Sequence, residues 1–272
     1  MNVCAYSFFR HEASAYESPR CGEAQGRFFV NYLRTLTRAH LAVWPEWELR
    51  IYHDDRVREF PYFRVLTELH KEAVINLVPM GEAKTLCGAM LWRILPMFDP
   101  AVRYLVCRDV DSLPMPRDRK MVDEFIKSGA VVHAIHDSIS HSGPLMGGMV
   151  AFDAENFRTR TGHRSIGTLL DAGINLGINW NLHGADQKFL NGVVYPYLAP
   201  ATFIHTKRDD RPYQAMCTKP VVPQECDQDR LANHVGGAFD VEGAYKYYTS
   251  VHQQSEKLQF ITDTERACGV TQ

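Results

Sequence analysis

The chain lacks several features that would assign it to common protein classes. No window is apolar enough for a membrane span and no charged leader precedes an apolar stretch, so we expect a cytoplasmic protein without a membrane span. Seven scattered cysteines, without Cys-x-x-Cys or Cys/His spacing, predict neither a disulfide framework nor a zinc site. The net charge of −2 comes without a basic stripe, which argues against a nucleic-acid partner.

Two nucleotide-binding motifs are also missing. No Gly-x-Gly-x-x-Gly follows the first apolar run and no Gly-Lys-Ser/Thr occurs, so neither a dinucleotide site nor a P-loop is expected. The sequence holds no internal repeat, low-complexity tract or linker. With 272 residues, 45% of them hydrophobic, the chain can bury a sizeable core, and we expect a single domain over residues 1–272.

Apolar runs of strand length alternate with helical patterns in the front half of the chain. Strands are predicted at residues 3–9, 48–52, 74–78 and 102–107, and helices at 23–43, 64–71 and 84–98. This order predicts an α/β fold with an open, mostly parallel sheet flanked by helices. After Asp111 the regularity weakens. A short helix at 121–128 and strands at 131–135 and 147–152 are predicted, followed by an irregular C-terminal part beyond about residue 195.

A pair of aspartates follows the fourth predicted strand. With 17 aspartates in 272 residues, about one Asp-x-Asp triplet is expected by chance, and a second one occurs at Asp227 and Asp229. Asp109 and Asp111, however, directly follow an apolar strand, and open parallel sheets bind ligands at the carboxyl ends of their strands. Asp227 and Asp229 lie in a polar stretch with no strand before them.

Two carboxylates at a strand end can supply oxygen ligands to one hard cation, Mn²⁺ or Mg²⁺, whose coordination is completed by phosphate oxygens and water. Such an ion stabilises the charge that grows on a departing diphosphate. The alternative is structural: Asp109 and Asp111 cap the following turn or pair with Arg103 and Arg108.

The residues around this pair resemble a known family, the GT-A glycosyltransferases that carry an Asp-x-Asp motif and use nucleotide sugars. The segments that carry the resemblance occur in the expected order over residues 84–196. They are Trp92-Arg93-Ile94-Leu95-Pro96, Asp99-Pro100-Ala101-Val102, Arg108-Asp109-Val110-Asp111-Ser112, Val132-His133-Ala134-Ile135-His136-Asp137 with His141, Leu145-Met146-Gly147-Gly148-Met149, and Gly184-Ala185-Asp186-Gln187-Lys188-Phe189-Leu190.

The resemblance implies a single GT-A (Rossmann-like) domain with a nucleotide-binding half, residues 1–112, and an acceptor-binding half, residues 113–272. It implies a metal-dependent hexosyl- or pentosyltransferase of glycan biosynthesis. Such an enzyme moves a sugar from a UDP- or GDP-sugar to a glycan or another hydroxyl acceptor. Mn²⁺ or Mg²⁺ is the implied cofactor.

The same resemblance implies roles for individual residues. Arg93 would contact the donor, although its stem could instead cover an apolar stripe. Gly147 and Gly148 would let the backbone approach the donor sugar, or else would form a bulge that opens the next strand. Asp186 would contact the acceptor hydroxyl or the sugar as the catalytic carboxylate; its alternative role is the N-cap of a short helix.

The remaining site residues are less tightly specified. The third metal ligand is expected to be a histidine, with His234 preferred over His205, because neutral imidazole is a reasonable Mn²⁺ ligand. At the exit of the first strand, Tyr6 or Phe8 could stack on the donor base, although one of them could belong to the core. Asp54 could accept hydrogen bonds from the base or the ribose.

Other functions fit less well. A haloacid-dehalogenase-type phosphatase needs its nucleophilic aspartate after the first strand, and a sugar nucleotidyltransferase needs a Gly-rich N-terminal loop with a basic residue; residues 3–10 offer neither. A non-catalytic nucleotide-sugar or carbohydrate-binding module on the same fold remains the main alternative.

Overall fold

The protein is described from a computed structural model, which covers residues 1–9, 23–60, 62–136, 143–182, 184–206, 221–223 and 256–270. Within these ranges only the backbone is described for residues 23–32, 86 and 221–223. In the described part of the chain no helix is both long and apolar enough to cross a membrane.

Eight strands form one sheet in the part of the chain that the structure describes. They are β1 (Asn2–Phe8), β2 (Glu48–His53), β3 (Asn76–Pro79), β4 (Tyr104–Arg108), β5 (Val132–His136), β6 (Met149–Asp153), β7 (Thr202–Thr206) and β8 (Val221–Pro223). Their spatial order is β3-β2-β1-β4-β6-β5-β7-β8. Strand β6 runs antiparallel to its neighbours β4 and β5, and every other pairing is parallel.

Nine α-helices accompany the sheet over the same ranges. They are α1 (Glu23–Val43), α2 (Phe63–Lys71), α3 (Leu86–Met90), α4 (Pro116–Ser128), α5 (Ala154–Thr161), α6 (Gly167–Asn175), α7 (Ala185–Phe189), α8 (Tyr195–Leu198) and α9 (Glu256–Ala267). Short 3₁₀ segments occupy Asp55–Glu59, Leu91–Phe98 and Ala199–Ala201, and a π-helical turn, Leu190–Val194, joins α7 to α8.

Buried apolar residues cover both faces of the sheet. Side chains alternate along a strand, so Cys4 and Tyr6 of β1 join one cluster, with residues of α1, α2, α4 and α9, whereas Val3 and Ala5 join the other. The second cluster contains residues of the 3₁₀ segment Leu91–Phe98 and of α5. The expected fold class, a mostly parallel central sheet flanked by helices, is therefore confirmed.

Two parts of the prediction change in detail. The helix expected over residues 84–98 is divided into α3 and the 3₁₀ segment Leu91–Phe98, which contains Pro96; proline has no N–H to donate and interrupts an α-helix. Residues 154–206 form α5–α8 and β7, elements that the periodicity did not predict one by one. Residues 207–220 and 224–255 lie outside the described part of the chain.

The C-terminal helix is fixed to the front half of the protein by a buried carboxylate. Glu265 of α9 is 2% exposed and accepts hydrogen bonds from Arg34 (3.1 Å), Arg38 (2.9 Å) and the Tyr62 hydroxyl (2.9 Å). A buried charge is tolerated when opposite charges and hydrogen bonds surround it, as they do here. Helix α9 is thereby held against α1 and the start of α2.

Candidate functional site

The predicted aspartates lie at the exit of β4, on a tight turn. The Ser112 N–H donates to the Asp109 carbonyl (2.9 Å), so the chain reverses directly after the strand. Both Asp109 and Asp111 are half-buried, and the Asp109 side chain keeps 44% of its surface exposed. Because β4 lies between β1 and β6, this turn is near the middle of the sheet's edge, where parallel strands bind ligands.

The neighbouring Arg108 is committed to another partner. Its guanidinium donates to both carboxylate oxygens of Asp118 (2.9 and 2.5 Å), and both side chains are fully buried. This pair joins β4 to α4 beneath the turn. Arg103, the other arginine considered for a structural pairing, is exposed and lies 4.0 Å from Glu155. Asp109 pairs instead with a third arginine.

That arginine is Arg93, on the 3₁₀ segment Leu91–Phe98. The backbone N–H of Arg93 donates to the Ser7 hydroxyl (3.1 Å), and this hydroxyl donates to the Met90 carbonyl (3.3 Å). Strand β1 thereby holds the segment in place. The side chain is 5% exposed; its Nη1 donates to Asp109 Oδ1, and its Nη2 lies 3.6 Å from Asp186 Oδ2. Burial alone would lower the pKa of Arg93, but Asp109 and Asp186 raise it above its ordinary value.

Two glycines allow these charged groups to meet. A Cβ atom on Gly148 would lie 1.8 Å from Asp109 Oδ2, and one on Gly147 would lie 2.6 Å from Arg93 Nη2 and 3.1 Å from Asp186 Oδ2. No side chain fits at either position without displacing Asp109 or Arg93. The glycine pair, predicted to permit a close approach of backbone to the donor, thus lies directly against the predicted donor and metal residues.

Asp186 reaches the site from α7. Helix α7 begins at Ala185 with Gly184 as its N-cap residue in the left-handed region (φ 81°), so Asp186 lies in the first helical turn and is not the N-cap. The side chain is 4% exposed and points toward Arg93. A carboxylate in the first turn is stabilised by the helix dipole.

Two amide side chains from α7 and the π-helical turn fix the segment before the glycines. The Gln187 amide donates to the Leu145 carbonyl (2.8 Å) and accepts from the Gly147 N–H (2.9 Å). Asn191 accepts from the Leu145 N–H (2.8 Å) and donates to its carbonyl (3.0 Å). The sequence reasoning did not identify these positioning residues. Gln187 lies within residues 184–190, a segment that carries the family resemblance, and that position was the available signal.

Two expectations for the first strand must be corrected. Tyr6 is fully buried and its hydroxyl contacts the Cys4 thiol, while Phe8 is 1% exposed and packs 5.7 Å from the Phe60 ring. The two aromatics lie two residues apart and therefore share one face of β1, where both belong to the buried cluster that also contains Cys4. Neither ring is accessible to a nucleotide base.

Asp54 is also unavailable to a base or ribose. Its carboxylate is fully buried, caps the 3₁₀ segment Asp55–Glu59 by accepting from the Arg56 N–H (2.7 Å), and pairs with the Arg56 guanidinium (2.7 Å). The Asp-x-Arg spacing suits such a local cap, so this residue is structural.

A different aromatic pair lies at the exit of β1. Phe9, on the opposite face from Phe8, is half-buried and meets the half-buried Trp92 edge-to-face, with ring centroids 5.9 Å apart. Trp92 directly precedes Arg93. This pair was missed because the aromatic pattern of residues 6–9 does not reveal which rings are fully buried and which are only half-buried at the end of the strand.

The histidines do not complete a metal site in the described residues. His205 lies on β7, three strands from β4, and contacts Glu124 (2.8 Å) and His133 (2.8 Å). The structure therefore does not bring His205 to the aspartates. His234 lies outside the described residues. Within the described ranges, no three His, Cys, Asp or Glu side chains are grouped closely enough to hold a metal ion.

Asp109 and Asp111 nevertheless fit a divalent ion that is shared with a ligand. Magnesium-type ions are commonly held by one or two carboxylates together with substrate phosphates and water, which requires oxygen ligands with a solvent-open side. The carboxylate of Asp109, whose side chain is 44% exposed, provides such a solvent-open side.

Comparison with known proteins identifies similar folds only. No family model and no curated protein match this chain. It is similar to the galactosyltransferase LgtC in complex with donor and acceptor sugar analogues (TM-score 0.47, 10% identity, 96% of this chain and 100% of that one). It is also similar to a putative nucleotide-diphospho-sugar transferase from Desulfovibrio desulfuricans G20 (TM-score 0.43, 14% identity, 75% and 80%). A third similar structure is the mannosyltransferase PcManGT from Pyrobaculum calidifontis with GDP-Man and Mn²⁺ (TM-score 0.37, 14% identity, 79% and 59%). We therefore assign a function from the geometry of the site.

Proposed function

We propose that the protein is a metal-dependent glycosyltransferase that moves a sugar from a nucleotide-diphosphate donor to a hydroxyl acceptor. The observation that carries this proposal is the meeting of Arg93, Asp109 and Asp186 against Gly147 and Gly148 at the carboxyl edge of a parallel sheet. This arrangement combines a cation for the donor, a carboxylate for a metal ion, and a second carboxylate for the reacting hydroxyl.

The proposed transfer breaks the bond between the anomeric carbon and the diphosphate oxygen, and the electron pair leaves with the nucleoside diphosphate. The acceptor oxygen forms the new bond to the anomeric carbon, and its proton passes to the Asp186 carboxylate. Asp186, almost fully buried beside Arg93, is placed to contact that hydroxyl or the sugar. Arg93 is placed to stabilise negative charge on the donor.

Mn²⁺ or Mg²⁺ held by Asp109 and Asp111 would supply Lewis-acid stabilisation of the departing diphosphate. We retain His234 as the proposed third protein ligand. We retain the proposed division into a nucleotide-binding half, residues 1–112, and an acceptor-binding half, residues 113–272. Arg93 and Asp109 come from the first half, and Gly147, Gly148 and Asp186 from the second.

The direct test of this function is a panel of UDP- and GDP-sugars assayed with Mn²⁺, with and without simple glycan acceptors. We expect nucleoside diphosphate to be released from at least one donor, and the release to stop when EDTA removes the metal. Binding of a donor without any release under all conditions would instead indicate a non-catalytic nucleotide-sugar-binding module.

We further propose that the donor base stacks on Phe9 and Trp92 in place of the buried Tyr6 and Phe8. Both rings are half-buried, and Trp92 precedes the residue that reaches the metal pair. Replacing Trp92 by alanine should weaken nucleoside diphosphate binding by about tenfold, because base–aromatic stacking typically contributes about 1–3 kcal/mol.

Isothermal titration with UDP and GDP measures this effect. Phe260→Ala, which removes an exposed aromatic on α9, is the matched control and should bind like the wild type. Unchanged affinity in a folded Trp92→Ala protein would exclude the base from this position.

A further inference from the structure

The guanidinium of Arg93 is shared between two carboxylates of the proposed site. Nη1 donates to Asp109 Oδ1, and Nη2 lies 3.6 Å from Asp186 Oδ2, beyond hydrogen-bond distance. The arginine side chain is 5% exposed, so its charge has little access to water and depends on these two partners. Asp109 is its direct partner, and Asp186 is a second partner within reach of a small movement.

One of the two oxygens of the Asp109 carboxylate is already engaged by a cation, the Arg93 guanidinium. Asp109 Oδ1 accepts a hydrogen bond from Arg93. Asp109 Oδ2 packs against Gly148, only 1.8 Å from where a Cβ atom on that residue would lie. A divalent ion needs carboxylate oxygens as ligands. An ion that binds Asp109 therefore competes with the guanidinium for the same carboxylate.

The surroundings of Arg93 permit the guanidinium to change partners. Gly147 has no side chain, and a Cβ at this position would lie 2.6 Å from Nη2 and 3.1 Å from Asp186 Oδ2. Gly147 therefore places no side-chain atom between the Arg93 guanidinium and Asp186. A shift of Nη2 by well under 1 Å from 3.6 Å would form a normal hydrogen bond to Asp186.

We infer that Arg93 controls the access of the divalent cation to Asp109, by releasing Asp109 and pairing with Asp186 when the cation binds. This inference rests on the proposed function. Competition with Arg93 should make the cation bind weakly by itself. The cation should bind more tightly together with the diphosphate, because the diphosphate oxygens add ligands. The inference also links the metal to Asp186, since the guanidinium moves toward Asp186 when it leaves Asp109.

The test is the affinity for Mn²⁺ in the absence of any donor, measured from the electron paramagnetic resonance signal of free Mn²⁺. Arg93→Met, which keeps the side-chain bulk but removes the charge, should bind Mn²⁺ about tenfold more tightly than the wild type, within the usual range of coupling between sites. Asp186→Asn should bind it several-fold more weakly, because Arg93 then has only Asp109 as a partner.

The double variant Arg93→Met/Asp186→Asn separates partner exchange from a general change in local charge. Partner exchange predicts that the effect of Asp186→Asn disappears once Arg93 is gone, whereas simple electrostatics predicts that the two effects add. Additive effects, or an Arg93→Met protein that binds Mn²⁺ no more tightly than the wild type, would overturn the inference. Circular dichroism spectra establish that each variant is folded. If Arg93→Met does not fold, the Mn²⁺ affinity of Asp186→Asn still tests the inference, and an affinity equal to that of the wild type would overturn it.

Asp109→Asn distinguishes failure of this inference from failure of the proposed function. If Asp109→Asn abolishes Mn²⁺ binding while Arg93→Met leaves it unchanged, the metal site stands and Arg93 does not control it. If Asp109→Asn binds Mn²⁺ like the wild type, the metal does not occupy Asp109, and the proposed function loses its metal site together with the inference.

Discussion

Replacing Gly148 by alanine should lower transfer activity by about a hundredfold while the protein remains folded. The new Cβ would lie 1.8 Å from Asp109 Oδ2 and 2.5 Å from its Cγ, where ordinary contacts begin at 3.4 Å. The Asp109 side chain is 44% exposed, so its carboxylate can rotate away from the new Cβ. The substitution therefore displaces a residue of the candidate site and leaves the core packing unchanged. Displacing a reacting group by about 1 Å can cost about a hundredfold in rate.

Steady-state kinetics at saturating Mn²⁺ measures the transfer activity of Gly148→Ala. Thermal unfolding shows whether the variant remains folded. Gly167→Ala is the matched control: Gly167 is exposed in α6, and its Cβ would meet only Ser165 Oγ at 3.7 Å. This control should keep full activity and unfold at the same or a slightly higher temperature, because alanine favours a helix. Full activity of Gly148→Ala would show that the position of Asp109 is not critical.

Replacing Asp186 by asparagine should lower kcat by about a thousandfold at saturating Mn²⁺ and donor, within the range for loss of a proton-accepting side chain. Asparagine has nearly the same shape but cannot accept a proton or carry the negative charge. Saturating Mn²⁺ offsets the weaker metal binding expected of this variant, and Arg93 and Asp109 are unchanged, so saturating donor should still bind. The rate of product formation should fall while the nucleotide still binds.

Single-turnover kinetics separates the chemical step from binding in this variant. Asp171→Asn, on an exposed position of α6, is the control and should leave kcat unchanged. A kcat within threefold of the wild type in Asp186→Asn would assign Asp186 a structural role and leave the site without its catalytic carboxylate.

The layout of the sheet could be predicted because its signals are local. Apolar runs of strand length and helical spacing placed β1–β4 and their connecting helices, with boundaries within a few residues. Prediction was weaker over residues 84–98, where Pro96 changes the type of helix, and over residues 154–206, where short helices leave little periodicity. Strand β6 was predicted as a strand, but its antiparallel direction depends on pairing that no local pattern encodes.

The centre of the candidate site could also be predicted, whereas its rim could not. Arg93, Asp109 and Asp186, which the resemblance grouped, lie together in the structure. Tyr6 and Phe8 failed because alternation along a strand predicts one accessible face, whereas both faces of β1 are buried. Asp54 failed because its partner, Arg56, is only two residues away and the local cap outweighs a ligand-binding role.

The measurement that tests the central claim most directly is Mn²⁺-dependent release of nucleoside diphosphate from the best donor of the panel, for the wild type, Asp111→Ala and Asp227→Ala. The second Asp-x-Asp triplet, outside the described residues, provides the control. We predict that Asp111→Ala loses at least about a hundredfold in rate, since the metal stabilises the leaving diphosphate, and that Asp227→Ala behaves like the wild type. Full transfer and metal dependence in Asp111→Ala, or loss of both in Asp227→Ala alone, would contradict the account.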